Sequence, residues 1–227
     1  MAAFMAAAAA GADLIELDVR FSADLACVVI HDRTVGRTTN GWGHVHTLPL
    51  STLRQMDAGR WFAPRFAGEQ IPTLAEVLEM LPPSVGVNCE VKTDGDPRSR
   101  VTRARALIET VQRHGGNRSV IVSSFDHRFL SILSRQAPWL VLGVLLQPLR
   151  DLARRPSILA RRAGATCIFC SKGMIRHRMV ADAQSHGMSI GVYCVDTLGQ
   201  LARARRYGAD MVFTNYPERV LTWLATE

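Results

Sequence analysis

The stretch Gly11-Ala-Asp-Leu-Ile-Glu-Leu-Asp-Val19 places a glycine directly before an apolar run that contains two acids. Shorter versions of this junction recur as Gly164-Ala-Thr-Cys-Ile168 and Gly208-Ala-Asp-Met-Val212. A glycine at this position can take the left-handed conformation that ends a helix, and an apolar run is typical of a strand covered on both faces. Each junction therefore predicts a helix followed by a buried strand, which is the repeat unit of a (β/α) barrel.

Apolar runs of strand length alternate with longer helical segments over the rest of the chain. The predicted strands are residues 14–20, 86–92, 120–124, 142–147, 167–170, 190–195 and 211–215. The predicted helices between them include residues 100–114, 128–136, 151–162, 176–186 and 199–207. Strand followed by helix, repeated this often, implies parallel strands joined by right-handed crossovers. We therefore predict an α/β fold of the TIM (β/α)8 type with seven barrel strands.

The chain of 227 residues is predicted to be a single domain, residues 1–227, because no linker or low-complexity segment divides it. Residues 32–72 are rich in glycine, threonine and aromatic side chains, and we interpret them as an insertion after the second barrel strand. The chain is shorter than the ~250 residues that are typical of such barrels. We expect the shortfall to correspond to one missing strand.

Composition excludes several classes of protein. With 48% hydrophobic and 21% charged residues, the chain is neither collagen-like nor wholly disordered. Its mean hydropathy is +0.06 and it has no long uncharged apolar run, so we expect no transmembrane segment. The net charge of +7 comes largely from arginines on separate predicted helices, without interleaved aromatic residues, so we expect no nucleic-acid partner.

Five cysteines stand in apolar, strand-like runs, and an odd number of them predicts buried thiols in a reducing compartment. They are Cys27, Cys89, Cys167, Cys170 and Cys194. Residues i and i+3 of a strand face opposite ways, so Cys167 and Cys170 are not expected to share a metal or redox site. The thiols favour a cytoplasmic protein; an export signal on residues ahead of Met1 is the alternative.

Acidic residues occur at the ends of two predicted strands. Glu16 and Asp18 are two residues apart and therefore point the same way, as do Glu90 and Lys92. Parallel strands end at one rim of a barrel, so these four side chains are expected to meet there. Three carboxylates without thiolates suit a hard cation, Mg²⁺ or Ca²⁺. The alternative is that the acids form salt bridges at the rim with Arg20 and Lys92.

His31 follows another apolar run, on the same side of the predicted topology as the carboxylates. Near a metal ion, a histidine can act as general acid or base at neutral pH. His44 and His46 fall in the insertion and are interpreted as surface residues.

Aromatic residues of the insertion have two interpretations. They could wall a substrate cleft, or they could form the small core that an insertion of this length needs. They are Trp42, Trp61 and Phe62.

Taken in order, the motifs resemble those of the glycerophosphodiester phosphodiesterase family over essentially the whole chain. The matching motifs are residues 11–19, Val28-Val-Ile-His31-Asp32, Arg37-Thr-Thr-Asn-Gly41, Ile71-Pro-Thr-Leu74 with Glu76-Val-Leu78, Glu90-Val-Lys92, Ser123-Ser-Phe125 and residues 208–217. The resemblance implies a TIM barrel and a metal-dependent hydrolase. Such an enzyme cleaves small-molecule glycerophosphodiesters to glycerol 3-phosphate and an alcohol.

The resemblance also assigns roles to individual residues. It implies that Glu16, Asp18 and Glu90 ligate a divalent metal, Mg²⁺ or Ca²⁺, and that Lys92 contacts the substrate phosphate. His31 would be one of two acid/base histidines. Tyr193 stands where the family often has a tryptophan, so it would keep an aromatic wall at the substrate.

The sequence departs from the family at its first motif. The family's first strand carries a His-Arg-Gly motif with the other histidine and an arginine for the phosphate, and no His-Arg-Gly occurs in these 227 residues. We expect an N-terminally truncated chain whose activity depends on the missing strand. The alternatives are an impaired or inactive homologue that only binds metal or phosphodiester, and a phosphodiesterase of the same fold that acts on lysophospholipids.

Overall fold

The computed structural model describes residues 1–93, 97–151 and 154–225. The chain divides into two compact units, one of residues 1–6 and 14–120 and the other of residues 7–13 and 121–227. In the described residues, no helix combines the length and the apolar character that crossing a membrane requires.

The first unit is built around one central strand. Its α-helices and strands are α1 Ala2–Ala9, β1 Leu14–Phe21, β2 Cys27–Val29, α2 Leu50–Leu53, α3 Leu74–Met80, β3 Gly86–Val91 and α4 Arg100–His114. The last three residues of α1 belong to the second unit. Short 3₁₀ helices span Val45–Thr47, Pro64–Phe66 and Pro97–Ser99. β1 pairs antiparallel with β2, with Val19 opposite Val29, and parallel with β3, with Asp18 beside Glu90.

β1 turns its two faces to different surroundings. Ile15, Leu17 and Val19 are buried, whereas Glu16 is exposed and Asp18 is half-buried. Successive side chains of a strand point to opposite faces, so the apolar residues anchor β1 while both acids stand on the other face. The alternation in the sequence thus presents two carboxylates from a strand that is firmly packed.

The insertion has a core of its own, and it is aliphatic. Its buried side chains, which pack with Val28 and Ile30 of the β2 region, are Val35, Val45, Leu53, Met56 and Ile71. Trp42, Trp61 and Phe62 are 87%, 50% and 67% exposed, so the interpretation that they form this core is wrong. Branched aliphatic residues and methionine supply enough apolar surface, which leaves the aromatic rings in solvent.

The second unit repeats strand and helix in regular order. Its elements are β4 Val120–Ser124, which begins at the last residue of the first unit, α5 His127–Gln136, β5 Val141–Leu145, α6 Pro148–Asp151, α7 Pro156–Ala163, β6 Cys167–Ser171, α8 His177–Gln184, β7 Ser189–Tyr193, α9 Leu198–Tyr207, β8 Met211–Val212 and α10 Pro217–Ala225. Adjacent strands pair in parallel from β4 to β8. The described residues therefore contain the seven predicted strands, with β4 to β8 paired in parallel here and β1 and β3 paired in parallel in the first unit, together with the antiparallel β2.

The recurring glycine junction ends helices in the way the sequence predicts. Gly164 after α7 and Gly208 after α9 have φ values of 69° and 82°, in the left-handed region. At Gly164 a Cβ atom would come 2.0 Å from the Ser134 hydroxyl oxygen, so any side chain there would clash as well as strain the backbone. This glycine fixes the approach of α7 to α5.

Three local predictions need correction. The helix predicted over 151–162 is two helices, because Pro156 lacks an amide hydrogen and begins α7; residues 152 and 153 lie outside the described residues. The last strand ends at Val212 instead of residue 215, since Thr214 Oγ1 and the Asn215 amide both donate hydrogen bonds to Asp196 Oδ1 at 2.9 Å. Cys194 is exposed, whereas the other four cysteines are buried as predicted.

Candidate metal and phosphodiester site

Three carboxylates converge on one face of β1 and β3, opposite to the face of Ile15, Leu17 and Val19. Glu16 and Asp18 come from β1 and Glu90 from β3, and one oxygen of each lies within 4.8 Å of the others. The parallel register causes this, since it sets Asp18 beside Glu90 and Glu16 beside Asn88. Carboxylate oxygens at this spacing can share one hard cation, and Mg²⁺ and Ca²⁺ both prefer such ligands.

Lys92 is the cationic partner of this cluster. It follows β3 directly, its Nζ lies 3.0 Å from Asp18 Oδ1, and it also donates a hydrogen bond to Glu90 Oε1. The salt bridges with Lys92 that were the alternative to a metal site are therefore present. One lysine against three acids still leaves excess negative charge, so the cluster retains the electrostatic preference for a cation.

The crowding of charge changes the pKa values of these groups. Glu16 is exposed as a residue, but neighbouring protein atoms remove much of the water around its carboxyl group. This desolvation, followed by repulsion from Asp18 and Glu90, raises the pKa of Glu16 from 4.5 to about 8, and Lys92 opposes the change. Burial also raises the pKa of Glu90, with Lys92 again opposing. Burial lowers the pKa of Lys92, but attraction to Glu90 and Asp18 outweighs it and the net change is upward. Without a second cation, the cluster favours keeping a proton on Glu16.

This protonation makes the stability of the metal-free chain depend on pH. In the presence of EDTA we expect the melting temperature to fall as pH rises from about 5 through about 8, because the folded chain must then ionise Glu16 while the unfolded chain has already done so. Glu16→Gln should flatten this fall, which differential scanning fluorimetry would measure. Parallel pH profiles for the two chains would contradict the prediction.

His31 is tied to a carboxylate and an arginine on the insertion side. Its Nδ1 lies 2.7 Å from Asp32 Oδ1, and Arg37 donates to both oxygens of Asp32, with its Nη2 3.1 Å from Oδ1. Hydrogen bonds from Arg37 and then from His31 hold the pKa of Asp32 far below its usual range. The His31 side chain is 64% exposed. The imidazole is therefore oriented through Nδ1 and open to solvent.

Arg20 fixes the backbone at His31. It is buried, and its Nε and Nη2 both donate to the His31 carbonyl oxygen at 2.8 and 2.7 Å. One residue earlier, the Ile30 amide donates to the Asp18 carbonyl oxygen at 3.0 Å. The strand that carries the acids and the residue that carries the imidazole are thus bound together. Arg20 continues the two-residue series of Glu16 and Asp18, which is the signal that could have indicated this contact.

The remaining predicted residues lie elsewhere. Tyr193 ends β7 in the second unit, half-buried, and its hydroxyl donates to the Leu146 carbonyl oxygen at 3.4 Å. His44 and His46 are exposed, as predicted, with ring centroids 5.5 Å apart.

Comparison with known proteins identifies similar sequences and folds. A model of the glycerophosphoryl diester phosphodiesterase family matches residues 1–219. A glycerophosphodiester phosphodiesterase of Caldanaerobacter subterraneus is 35% identical over 97% of this chain and 89% of its own length. One of Bacillus subtilis is 30% identical over 91% of this chain and 75% of its own.

Solved structures agree with these matches. An Oleispira antarctica phosphodiesterase in complex with the product sn-glycerol-3-phosphate has a TM-score of 0.88 and 23% identity, over 98% of this chain and 89% of its own. A glycerophosphodiester phosphodiesterase of Agrobacterium tumefaciens has a TM-score of 0.79 and 30% identity, over 94% and 88%. The prediction of an α/β fold of the TIM-barrel type is confirmed.

Proposed function

Because the chain belongs to the glycerophosphoryl diester phosphodiesterase family of phosphoric diester hydrolases, we propose that it hydrolyses glycerophosphodiesters to glycerol 3-phosphate and an alcohol. The observation that carries this proposal is the convergence of three carboxylates within 4.8 Å of one another beside a lysine. Their excess negative charge and their hard oxygen atoms fit Mg²⁺ or Ca²⁺. Glu16, Asp18 and Glu90 would hold this cation, which when bound neutralises the phosphodiester and helps to organise the nucleophile.

Lys92 contacts the substrate phosphate in this proposal. Its ammonium group is partly accessible and lies next to the carboxylates, so an anionic phosphodiester that approaches the cluster meets a positive charge at its edge. Tyr193 offers an aromatic surface to the substrate. Its place at the carboxyl end of β7 supports this role, because barrel enzymes build their sites at that end of their strands.

His31 transfers a proton through Nε2. Asp32 engages Nδ1 at 2.7 Å, so the other ring nitrogen is the one that faces a reacting group. During hydrolysis a water oxygen forms a bond to phosphorus as its proton leaves, and the phosphorus–oxygen bond to the alcohol breaks as that oxygen gains a proton. His31 serves one of these two transfers, and the histidine of a His-Arg-Gly segment serves the other.

Activity is expected to depend on that segment. Loss of one acid/base group typically lowers the rate by ~10²–10⁴. We therefore expect the 227-residue chain to release glycerol 3-phosphate slowly, and the same chain preceded by a His-Arg-Gly strand to release it faster by that factor. The measurement is the initial rate with glycerophosphocholine and Mg²⁺ or Ca²⁺, with EDTA as the control. A full rate from the 227 residues alone, or a rate unaffected by EDTA, would contradict the proposal.

One observation favours lysophospholipids as a second substrate class. The rings of Trp61, Phe62 and Phe66 lie at successive centroid distances of 5.8 Å, and the Arg37 guanidinium stands 5.8 Å from the Trp61 ring. Arg37 also pairs with Asp32, the partner of His31, so this exposed apolar surface is near the histidine. Faster hydrolysis of lysophosphatidylcholine than of glycerophosphocholine in the same assay would identify this class.

A further inference from the structure

Asn88 lies in β3 beside the acidic cluster. It is 2% exposed and is the register partner of Glu16 on the neighbouring parallel strand. It also precedes Glu90 by two residues, and side chains two apart in a strand share a face. Asn88 therefore stands on the face of the sheet that carries Glu16, Asp18 and Glu90.

The carboxamide oxygen of Asn88 is buried without a hydrogen-bond partner among the residues that the structure describes. A buried polar atom that is left unsatisfied destabilises a folded chain, and an apolar residue of similar shape avoids that cost. The neighbouring positions Val87 and Cys89 are fully buried and make no such demand. A ligand that this oxygen could contact would offset the cost at Asn88.

We propose that Asn88 supplies a neutral oxygen to the coordination shell of the cation, which is an inference that rests on the proposed function of the acidic cluster. Three carboxylates that each bind through one oxygen leave part of the shell of about six or more oxygen atoms around Mg²⁺ or Ca²⁺ unfilled, and Asn carbonyl oxygens are common among the ligands of Ca²⁺. A neutral donor also adds no further repulsion to a cluster that already contains three acids. Asn88 would thus be a further ligand of the cation, and its carboxamide oxygen would be satisfied when the cation is bound.

Two substitutions at this position separate the proposal from a purely structural role. Asn88→Leu keeps the size of the side chain but removes the oxygen, and we expect it to weaken Mg²⁺ or Ca²⁺ binding by at least about 10- to 100-fold, which is what loss of a residue that only supports a metal ligand costs. Its melting temperature in EDTA should stay the same or rise. Asn88→Asp keeps an oxygen and should bind the cation within a few-fold of the original chain or more tightly. Isothermal titration calorimetry with the metal alone measures these affinities.

Ser157→Ala provides a matched control, because the Ser157 hydroxyl is also buried without a partner in the described part of the chain but lies on α7. It should leave cation affinity unchanged.

Equal affinities for Asn88→Leu and the original chain would overturn the inference and leave the cation site intact. A lower melting temperature in EDTA together with no recovery in Asn88→Asp would overturn it in favour of a structural role. No cation binding by the original chain would refute the proposed metal site itself.

Discussion

Replacement of Glu16 by glutamine is expected to abolish cation-dependent hydrolysis and to weaken Mg²⁺ or Ca²⁺ binding by more than about 100-fold, the upper end of what loss of an outer-shell partner costs. Glu16 provides one of three converging carboxylates, and the neutral amide loses the charge that attracts the cation. The expected result in EDTA is the opposite, since the substitution removes repulsion from Asp18 and Glu90 and should raise the melting temperature above pH 8.

Glu79→Gln is the control for this experiment. Glu79 is an exposed acid that pairs with His114 in the same unit and takes no part in the acidic cluster. It should leave cation affinity and rate unchanged. If Glu16→Gln still binds the cation as the original chain does, the three carboxylates do not form the metal site.

Replacement of His31 by glutamine is expected to lower kcat by ~10²–10⁴, the usual contribution of one acid/base group. The effect should be measured in the chain that carries a His-Arg-Gly strand, where the rate is highest. Cation affinity should remain, because His31 hydrogen-bonds Asp32 and supplies none of the three converging carboxylate oxygens. An intact affinity with a lost rate distinguishes proton transfer from metal binding.

Asp32→Asn tests the orientation of the imidazole separately. An exposed ion pair contributes up to ~1 kcal/mol, which corresponds to roughly a fivefold change, so the rate should fall far less than it does in His31→Gln. His46→Gln is the matched control, since His46 is exposed in the insertion. A loss of rate in His46→Gln as large as in His31→Gln would contradict the assignment of His31.

The parts of the fold that local sequence determines were predictable. Gly164 and Gly208 end helices because only residues without a side chain adopt that backbone freely, and this holds whatever surrounds them. The convergence of Glu16, Asp18 and Glu90 also follows from two general rules, the two-residue period of a strand and the common orientation of parallel strands.

The remaining features depend on tertiary contacts that no local pattern contains. Arg20 could have paired with an acid, and its place at the His31 carbonyl follows from the hairpin formed by β1 and β2. Trp61 is apolar and would suit a core, but the core of the insertion consists of aliphatic residues and a methionine that are distant from one another in the sequence. The place of Asn88 beside Glu16 depends on the register of β1 and β3, which the sequence of either strand alone does not determine.

The aliphatic core of residues 35–71 has a consequence for how substrate range can change. This core packs on the β2 region and includes the Ile30 side chain, whereas His31 is held to β1 by the Arg20 side chain and the Ile30 backbone amide, through hydrogen bonds in which no side chain of residues 35–71 takes part. The exposed residues between positions 35 and 71 can therefore vary without breaking these hydrogen bonds. Under the proposed function, exposed rings such as Trp42 and Phe62 can be exchanged without altering the hydrogen bonds that hold His31 to the strand of Glu16 and Asp18. Exchange of residues 35–71 between relatives would then change the surface around the proposed site and leave the acidic cluster unchanged.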